Sequence, residues 1–226
     1  MTLAREGKQQ DWLQNFTMPH RAYVGLEQGA RSLKNFQSAV VPGILQVADY
    51  TRALHRVVVP PVADESIEER VGERHTRQQI LTGENAPQVE IILDEAVIRR
   101  PLGGPLVMRE QLDHLIKMQE RPNVSIRVVP YTVGAHPALE SNFTILSFDG
   151  LAPTTIHAEG LAGQIYLERQ QDVERYQNVF DLLRTMALSP KDTALLIEKA
   201  RDSYTSELTL RRRLAAVRRT SPKPAR

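Results

Sequence analysis

Residues 89–129 constrain the fold more than any other stretch. Val89 to Ile98 reads VEIILDEAVI, apolar and partly β-branched in its first half, as suits a central strand. Asp94 and Glu95 interrupt it near its end. Pro101-Leu102-Gly103-Gly104-Pro105 is a turn cluster. Leu106 to Gln119 then has a helical stripe of Val107, Gln111, Leu115 and Met118, flanked by Leu112 and Ile116. Val124 to Val129, VSIRVV, reads as a second strand stopped by Pro130. Strand, turn, helix and strand in this order predict a crossover unit, with Val89–Leu93 parallel to Ser125–Val129.

The flanking segments extend this unit on both sides. Trp12, Leu13 and Phe16 suit a short helix ended before Pro19. From His20 to Asn35, Tyr23, Leu26, Glu27, Ala30 and Leu33 keep roughly helical spacing, and Glu27 and Arg31 can pair along that helix. Phe36 to Val41 leads into a turn or helix start at Pro42-Gly43. Ile44, Leu45, Ala48 and Leu54 share a helical face reaching about Arg56. After the prolines at 60 and 61, Asp64 or Ser66 can cap a helix from Ile67 to about Leu81; Ser66 and Glu69 have capping-box spacing. Beyond the crossover, Asn142–Phe148, Thr154–Ala158 and Ile165–Leu167 predict an antiparallel extension turning first at Asp149-Gly150. Asp172–Ser189 is helical, and Ser189 can cap a last core helix carrying Ala194, Leu195, Ile197 and Ala200. The expected fold class is α+β: a mixed β-sheet with a parallel crossover unit and an antiparallel hairpin, packed against several α-helices. Residues 1–205 are expected to form one domain, and 206–226 a basic helix and disordered tail.

Composition narrows the chemistry. There is no Cys, which removes disulfides, thiolate metal sites and cysteine nucleophiles. A net charge of +2 over 226 residues is not that of a strongly basic nucleic-acid binder. No signal core is present, and no apolar run approaches the roughly 20 residues that span a membrane. A cytoplasmic protein is expected, with no membrane partner. The six His residues show no H-E-x-x-H spacing, so no metal is expected, and the glycines form neither a dinucleotide fingerprint nor a phosphate loop, so no cofactor is expected. There is no G-x-S-x-G elbow.

Four sets of polar residues stand out. Arg70, Arg74 and Arg77 lie at i, i+4 and i+7, on one helix face. That face reads as a solvated salt-bridged surface, as an anion or acidic-partner surface, or as buried pairing with carboxylates elsewhere. Glu95 and Arg99 suit an ion pair or an acid/base role. His136, in a Gly/Pro loop, and His157, near Glu159, suit either structural histidines or imidazole bases. The Arg-rich stretch from Arg211 to Arg219 suits solvation, subunit packing or nucleic-acid contact.

Several of these stretches together resemble one family. VVPGILQVADYTRAL at 40–54 is similar to its V-P-G-L-L-Q-T-x-x-Y-A-R-A-L segment, and RHTRQQIL at 74–81 to its R-x-x-R-Q-x-x-L helix. VEIILDEAVIRRPLGG matches a strand followed by D/E-E-A-x-L-R, and VSIRVVPYTVGAHPALESNFTILSF a V-x-V-x-V-x-P-x-x-x-G-x-H loop and strand. The chain thus resembles, over about 12–204, the C-terminal domain of unknown function DUF5753 of actinobacterial XRE-type helix-turn-helix regulators. Ile44 and Val47 replace the commoner Leu and Thr, and His157-Ala158 stands where an aromatic strand residue is common.

The resemblance implies a regulatory sensor or protein-interaction domain that binds a small acidic partner protein or a small anionic ligand. The ligand or partner surface is then expected at Pro42, Gly43, Gln46, Tyr50, Arg74, Arg77, Gln78 and Arg99. Pro42 and Gly43 would shape the backbone, the glutamines supply amide hydrogen bonds, and the arginines grip a carboxylate or phosphate. The chain begins almost at this domain, as a truncated regulator or a stand-alone member. Without a helix-turn-helix domain, direct nucleic-acid binding is not expected; a homodimer is left open. The alternative is a stand-alone enzyme or small-molecule binder using Glu95, His136, Glu159 and Glu168, near strand ends.

Overall fold

Ser32–Gln37 is a strand (β1), where the helical spacing of Tyr23 to Leu33 predicts the end of a helix. The computed structural model describes residues 20–58, 61, 63–160 and 163–220, without the side chains of 20, 21 and 209–220. In it the first helix, α1, spans His20–Gly29 and stops. β1 carries Leu33 and buried Asn35 on one face and Phe36 on the other, and its polar Lys34 and Gln37 hide the strand pattern. It is nevertheless central. The sheet order is β3-β2-β1-β4-β5-β6, with β2 Gln88–Asp94, β3 Val124–Val129, β4 Phe143–Ser147, β5 Thr155–Gly160 and β6 Gly163–Leu167.

The parallel half matches the expected crossover. β2 pairs parallel with β3, Val89 opposite Val124 and Leu93 opposite Val128. β1 pairs parallel with β2 and antiparallel with β4, so the sheet changes character at β1. β4, β5 and β6 form an antiparallel meander. This mixed sheet, packed against several helices, is the fold class expected.

Helices cover both faces. One face packs Leu33, Ile91, Leu93, Ile126 and Val128 under α5 (Pro105–Gln119) and α7 (Pro190–Thr220). The other packs Phe36, Ile92, Phe143, Ile145 and Ile156 under α6 (Gln170–Met186), anchored by Phe180 and Leu183. Between β1 and β2 run a 3-10 turn at Gly43–Leu45, α2 (Ala48–His55), α3 (Asp64–Gln78) and a 3-10 turn at Gln79–Leu81. α4 (Glu95–Arg99) follows β2 directly.

Local signals behave unevenly. Ser189 caps α7, its hydroxyl accepting the Asp192 N–H at 3.1 Å. Ser66 does not cap α3: that helix starts at Asp64, with Ala63 at the cap position and no side-chain bond there. Leu195 is exposed, and Thr193 is buried instead, accepting the Val128 N–H at 3.1 Å. That bond and Leu188 N–H to Val128 O at 2.8 Å close the free edge of β3. The helix expected around Trp12 and the disorder expected for 221–226 lie outside the described residues. Among the described residues no helix is long and apolar enough to cross a membrane.

Phe180 is fully buried and meets Phe143 edge-on, ring centroids 6.4 Å apart. It is the main anchor of α6. Phe180→Ala should cost about 3–5 kcal/mol in urea unfolding; a loss below about 1 kcal/mol would mean that α6 docks by other contacts.

Candidate functional site

One row of side chains crosses four strands on a single face. Asn35 is opposite Thr144, Thr144 opposite His157, and His157 opposite Tyr166. All four are buried. The first three help line a cleft of about 330 Å³. Tyr23 and Glu27 from α1, the turn at Pro42-Gly43, and Arg70, Arg74 and Arg77 from α3 wall it. Glu159 stands exposed at its rim. The helical spacing of the arginines is what turns them toward one place.

The turn at 41–47 is buried without a strand partner, so its backbone polar groups need side-chain partners. Five bonds supply them. Tyr50 OH accepts the Val41 N–H at 3.0 Å, and Gln46 Nε2 donates to Val41 O at 2.6 Å. Gln78 Nε2 donates to Gln46 O at 2.7 Å. Gln111 on α5 donates to Leu45 O at 2.7 Å and accepts the Val47 N–H at 2.9 Å. Thr51 Oγ1 donates to Gln46 Oε1 at 3.1 Å, leaving both ends of that amide engaged. Gln46, Tyr50 and Gln78, expected to meet a ligand, therefore brace the turn. Gln111 escaped sequence reasoning, although a glutamine in an otherwise apolar stripe was its signal.

The two inner arginines have different partners. Arg77 Nε and Nη2 bind the Glu27 carboxylate at 2.7 and 2.9 Å, and the guanidinium lies 5.2 Å from the Tyr23 ring centre. Burial opposes its charge, but the Glu27 carboxylate outweighs burial and holds its pKa above the usual range. Glu27 is thus spent on Arg77, not on Arg31 along its own helix. Arg74 Nη2 donates to His55 Nε2 at 3.0 Å, and its Nε–H is buried with no acceptor. Among the described residues Arg74 has no carboxylate at ion-pair distance. Burial first, then the charge of Arg77, pushes it down to about 10. It stays a cation at neutral pH. Gly43 makes room for it: a Cβ there would collide with Arg74 Nη1 and lie 3.2 Å from Arg77 Nη1.

The remaining expected residues lie elsewhere. Asp94 caps α4 through the Ala96 N–H at 2.7 Å, and its other oxygen is 3.3 Å from His136 Nε2. His136 Nδ1 accepts the Ala138 N–H at 3.3 Å, so the Nε2 proton points to Asp94. Glu95 holds Arg99 at 3.1 Å and accepts the Tyr131 N–H at 2.8 Å. These bonds join the end of β2 to the loop after β3. Glu168 accepts from Thr155 Oγ1 at 3.0 Å, at the far end of the meander. The structure thus brings Pro42, Gly43, Gln46, Arg74, Arg77 and Glu159 to the cleft, and leaves Tyr50, Gln78, Glu95, Arg99, His136 and Glu168 outside its lining. It adds Asn35, Thr144, Tyr23, Glu27 and His55, which the pattern did not single out. No three His, Asp or Glu side chains gather in metal-binding range among the described residues.

A six-stranded mixed sheet with a cationic cleft at its parallel-to-antiparallel junction defines the class of domain. The chain belongs to the family described as Domain of unknown function (DUF5753), whose model matches residues 20–199. No curated protein matches it significantly.

Removing one partner of a buried pair strands the other charge. Glu27→Gln should cost about 3–5 kcal/mol in urea unfolding. The double variant Glu27→Leu/Arg77→Met should recover most of that loss. Equal losses in both would show that the pair matters by packing, not by charge.

Proposed function

We propose that this domain is a sensor whose cleft binds a small anionic ligand. One observation carries the reading: Arg74 lines an open cleft half-buried, its Nε–H is buried without an acceptor, and among the described residues no carboxylate lies at ion-pair distance. A partly desolvated cation without a paired carboxylate is costly in a purely structural role. An anion arriving at that position would remove the cost, and binding would be linked to domain stability. The neighbouring guanidinium of Arg77 does not need the anion, since Glu27 already neutralises it.

Two further facts support binding over catalysis. The acid/base candidates Glu95, His136, Glu159 and Glu168 do not share a cleft, and Glu95 and His136 have their hydrogen bonds taken by the fold. The cleft is also braced by a hydrogen-bonded turn, which suits recognition by a preformed surface. A regulatory role in the cytoplasm fits the likeness of the 40–54 and 74–81 segments to XRE-type regulators. In such a protein, occupancy of the cleft is the signal.

Arg74→Met separates this reading from a structural one. Thermal melts of the free variant should match the native protein or exceed it, by up to about 2 kcal/mol in stability, because a partly desolvated cation without a paired carboxylate is gone. Titrated carboxylates and phosphate esters should raise the melting temperature of the native protein and leave the variant unmoved. A large loss of stability with no anion response in the native protein would make Arg74 a structural residue.

Gly43→Ala tests the position of the same group. The group in its way is the end of a flexible side chain, so the fold should survive, with stability within about 1 kcal/mol. Anion affinity should fall at least tenfold. Unchanged affinity would mean that the guanidinium's seat against the turn is irrelevant.

A further inference from the structure

The cleft floor ends on one unmet acceptor. Tyr23 is buried against the strand row, its ring centre 4.3 Å from that of His157. Burial first, and the Glu27 charge next, hold its hydroxyl well above the usual phenol range, so it keeps its proton. Asn35 Nδ2 donates to Thr144 Oγ1 at 2.7 Å, and Asn35 Oδ1 is left over. That oxygen is buried with no partner, on a residue 4% exposed that lines the cleft.

The charges of the lining also sum to a small number. Arg70, Arg74 and Arg77 stand against Glu27 and Glu159, which leaves one positive charge. Arg70 and Glu159 are exposed and screened. Inside, Arg77 and Glu27 cancel, so the excess sits on Arg74. A single unpaired guanidinium matches one carboxylate; a doubly charged phosphate would be left half-neutralised next to Glu27. The apolar part of the lining includes Leu33, Val41 and Ile44. The volume, about 330 Å³, is at the small end of the roughly 300–1,000 Å³ usual for ligand pockets.

We infer that the ligand is a small monocarboxylic acid with an apolar body and one N–H or O–H donor: the carboxylate on Arg74, the donor on Asn35 Oδ1. This rests on the anion-binding reading and goes beyond it by naming the charge, the donor and the two residues that read them. The acceptor on Asn35 selects among acids, because a ligand without a donor leaves a buried oxygen unpaired.

Ligand-observed NMR on the full chain tests this with four matched probe sets built on leucine and phenylalanine side chains. They are the N-acetyl amino acids, their N-methylated forms, their neutral primary amides, and phosphate monoesters of the same side chains. The N-acetyl acids should bind, the amides should not, and N-methylation should weaken binding at least tenfold. Arg74→Met should abolish acid binding. Asn35→Ala should weaken it and erase the difference between N–H and N-methyl forms; should that variant fail to fold, the N-methyl comparison on the native chain decides the donor. Preference for the phosphate monoesters would overturn the monocarboxylate inference and leave the anion reading intact. Equal binding of N-H and N-methyl acids would overturn the role of Asn35. Binding of neither acids nor phosphates would sink both readings.

Discussion

The pair of Glu27 and Arg77 sets the architecture of the cleft. Its side chains are 1% and 5% exposed, and two short bonds join them across 50 positions of sequence. Taking both charges out of water costs several kcal/mol, and the mutual attraction mostly offsets that cost. The net stabilisation is small, but the geometry is narrow. α1 and α3 are joined at one point above the sheet, with Tyr23 packed between the guanidinium and the strand row. The space left beside that joint is the cleft. Arg74 is three positions earlier on α3 and lines the same space, where among the described residues it has no carboxylate at ion-pair distance.

Rigidity of the opposite wall comes from another source. The 41–47 segment makes no ladder bonds, yet it is buried, so every carbonyl and N–H had to be met by a side chain or by its own turn. Glutamines make four of the five side-chain bonds, three of these reaching from α3 and α5. A long neutral amide can satisfy a donor and an acceptor without bringing charge into the interior. The turn is thereby fixed to α2, α3 and α5. A ligand meeting such a wall loses little to reorganisation of the protein, which favours small molecules with few contacts.

The crossover 88–129 was legible because its strands are rich in Val and Ile and its helix has a clear stripe. Those signals are local and redundant. β1 was not legible: its buried Asn35 makes sense only beside Thr144, more than 100 residues away. Likewise the arginine face was visible in the spacing of 70, 74 and 77, but not which arginine would be neutralised. That depended on Glu27, which looked like a partner for Arg31. The motif residues Gln46, Tyr50 and Gln78 stand out for a sound reason, and in the structure they bond the turn. A segment that needs particular polar side chains looks the same in sequence whether those groups hold a ligand or the chain itself.

Hydrogen-bond completeness separates those two tasks once coordinates exist. At the end of β2, each strong group has its partner: Asp94 caps a helix and meets His136, and Glu95 joins Arg99 to the Tyr131 backbone. Such a network stiffens a fold and has nothing left to give a ligand. In the arginine cleft the bonding is equally ordered, yet Arg74 Nε and Asn35 Oδ1 are left without partners among the described residues. One is a cationic donor and the other a neutral acceptor. Leaving both buried and unmet costs stability in the free protein. Residues that brace the turn gain nothing from that cost, and filling both positions with apolar side chains would avoid it. An unmet donor and an unmet acceptor around one open volume are the observation on which the proposed ligand rests, because a molecule bearing the complementary pair would remove both costs.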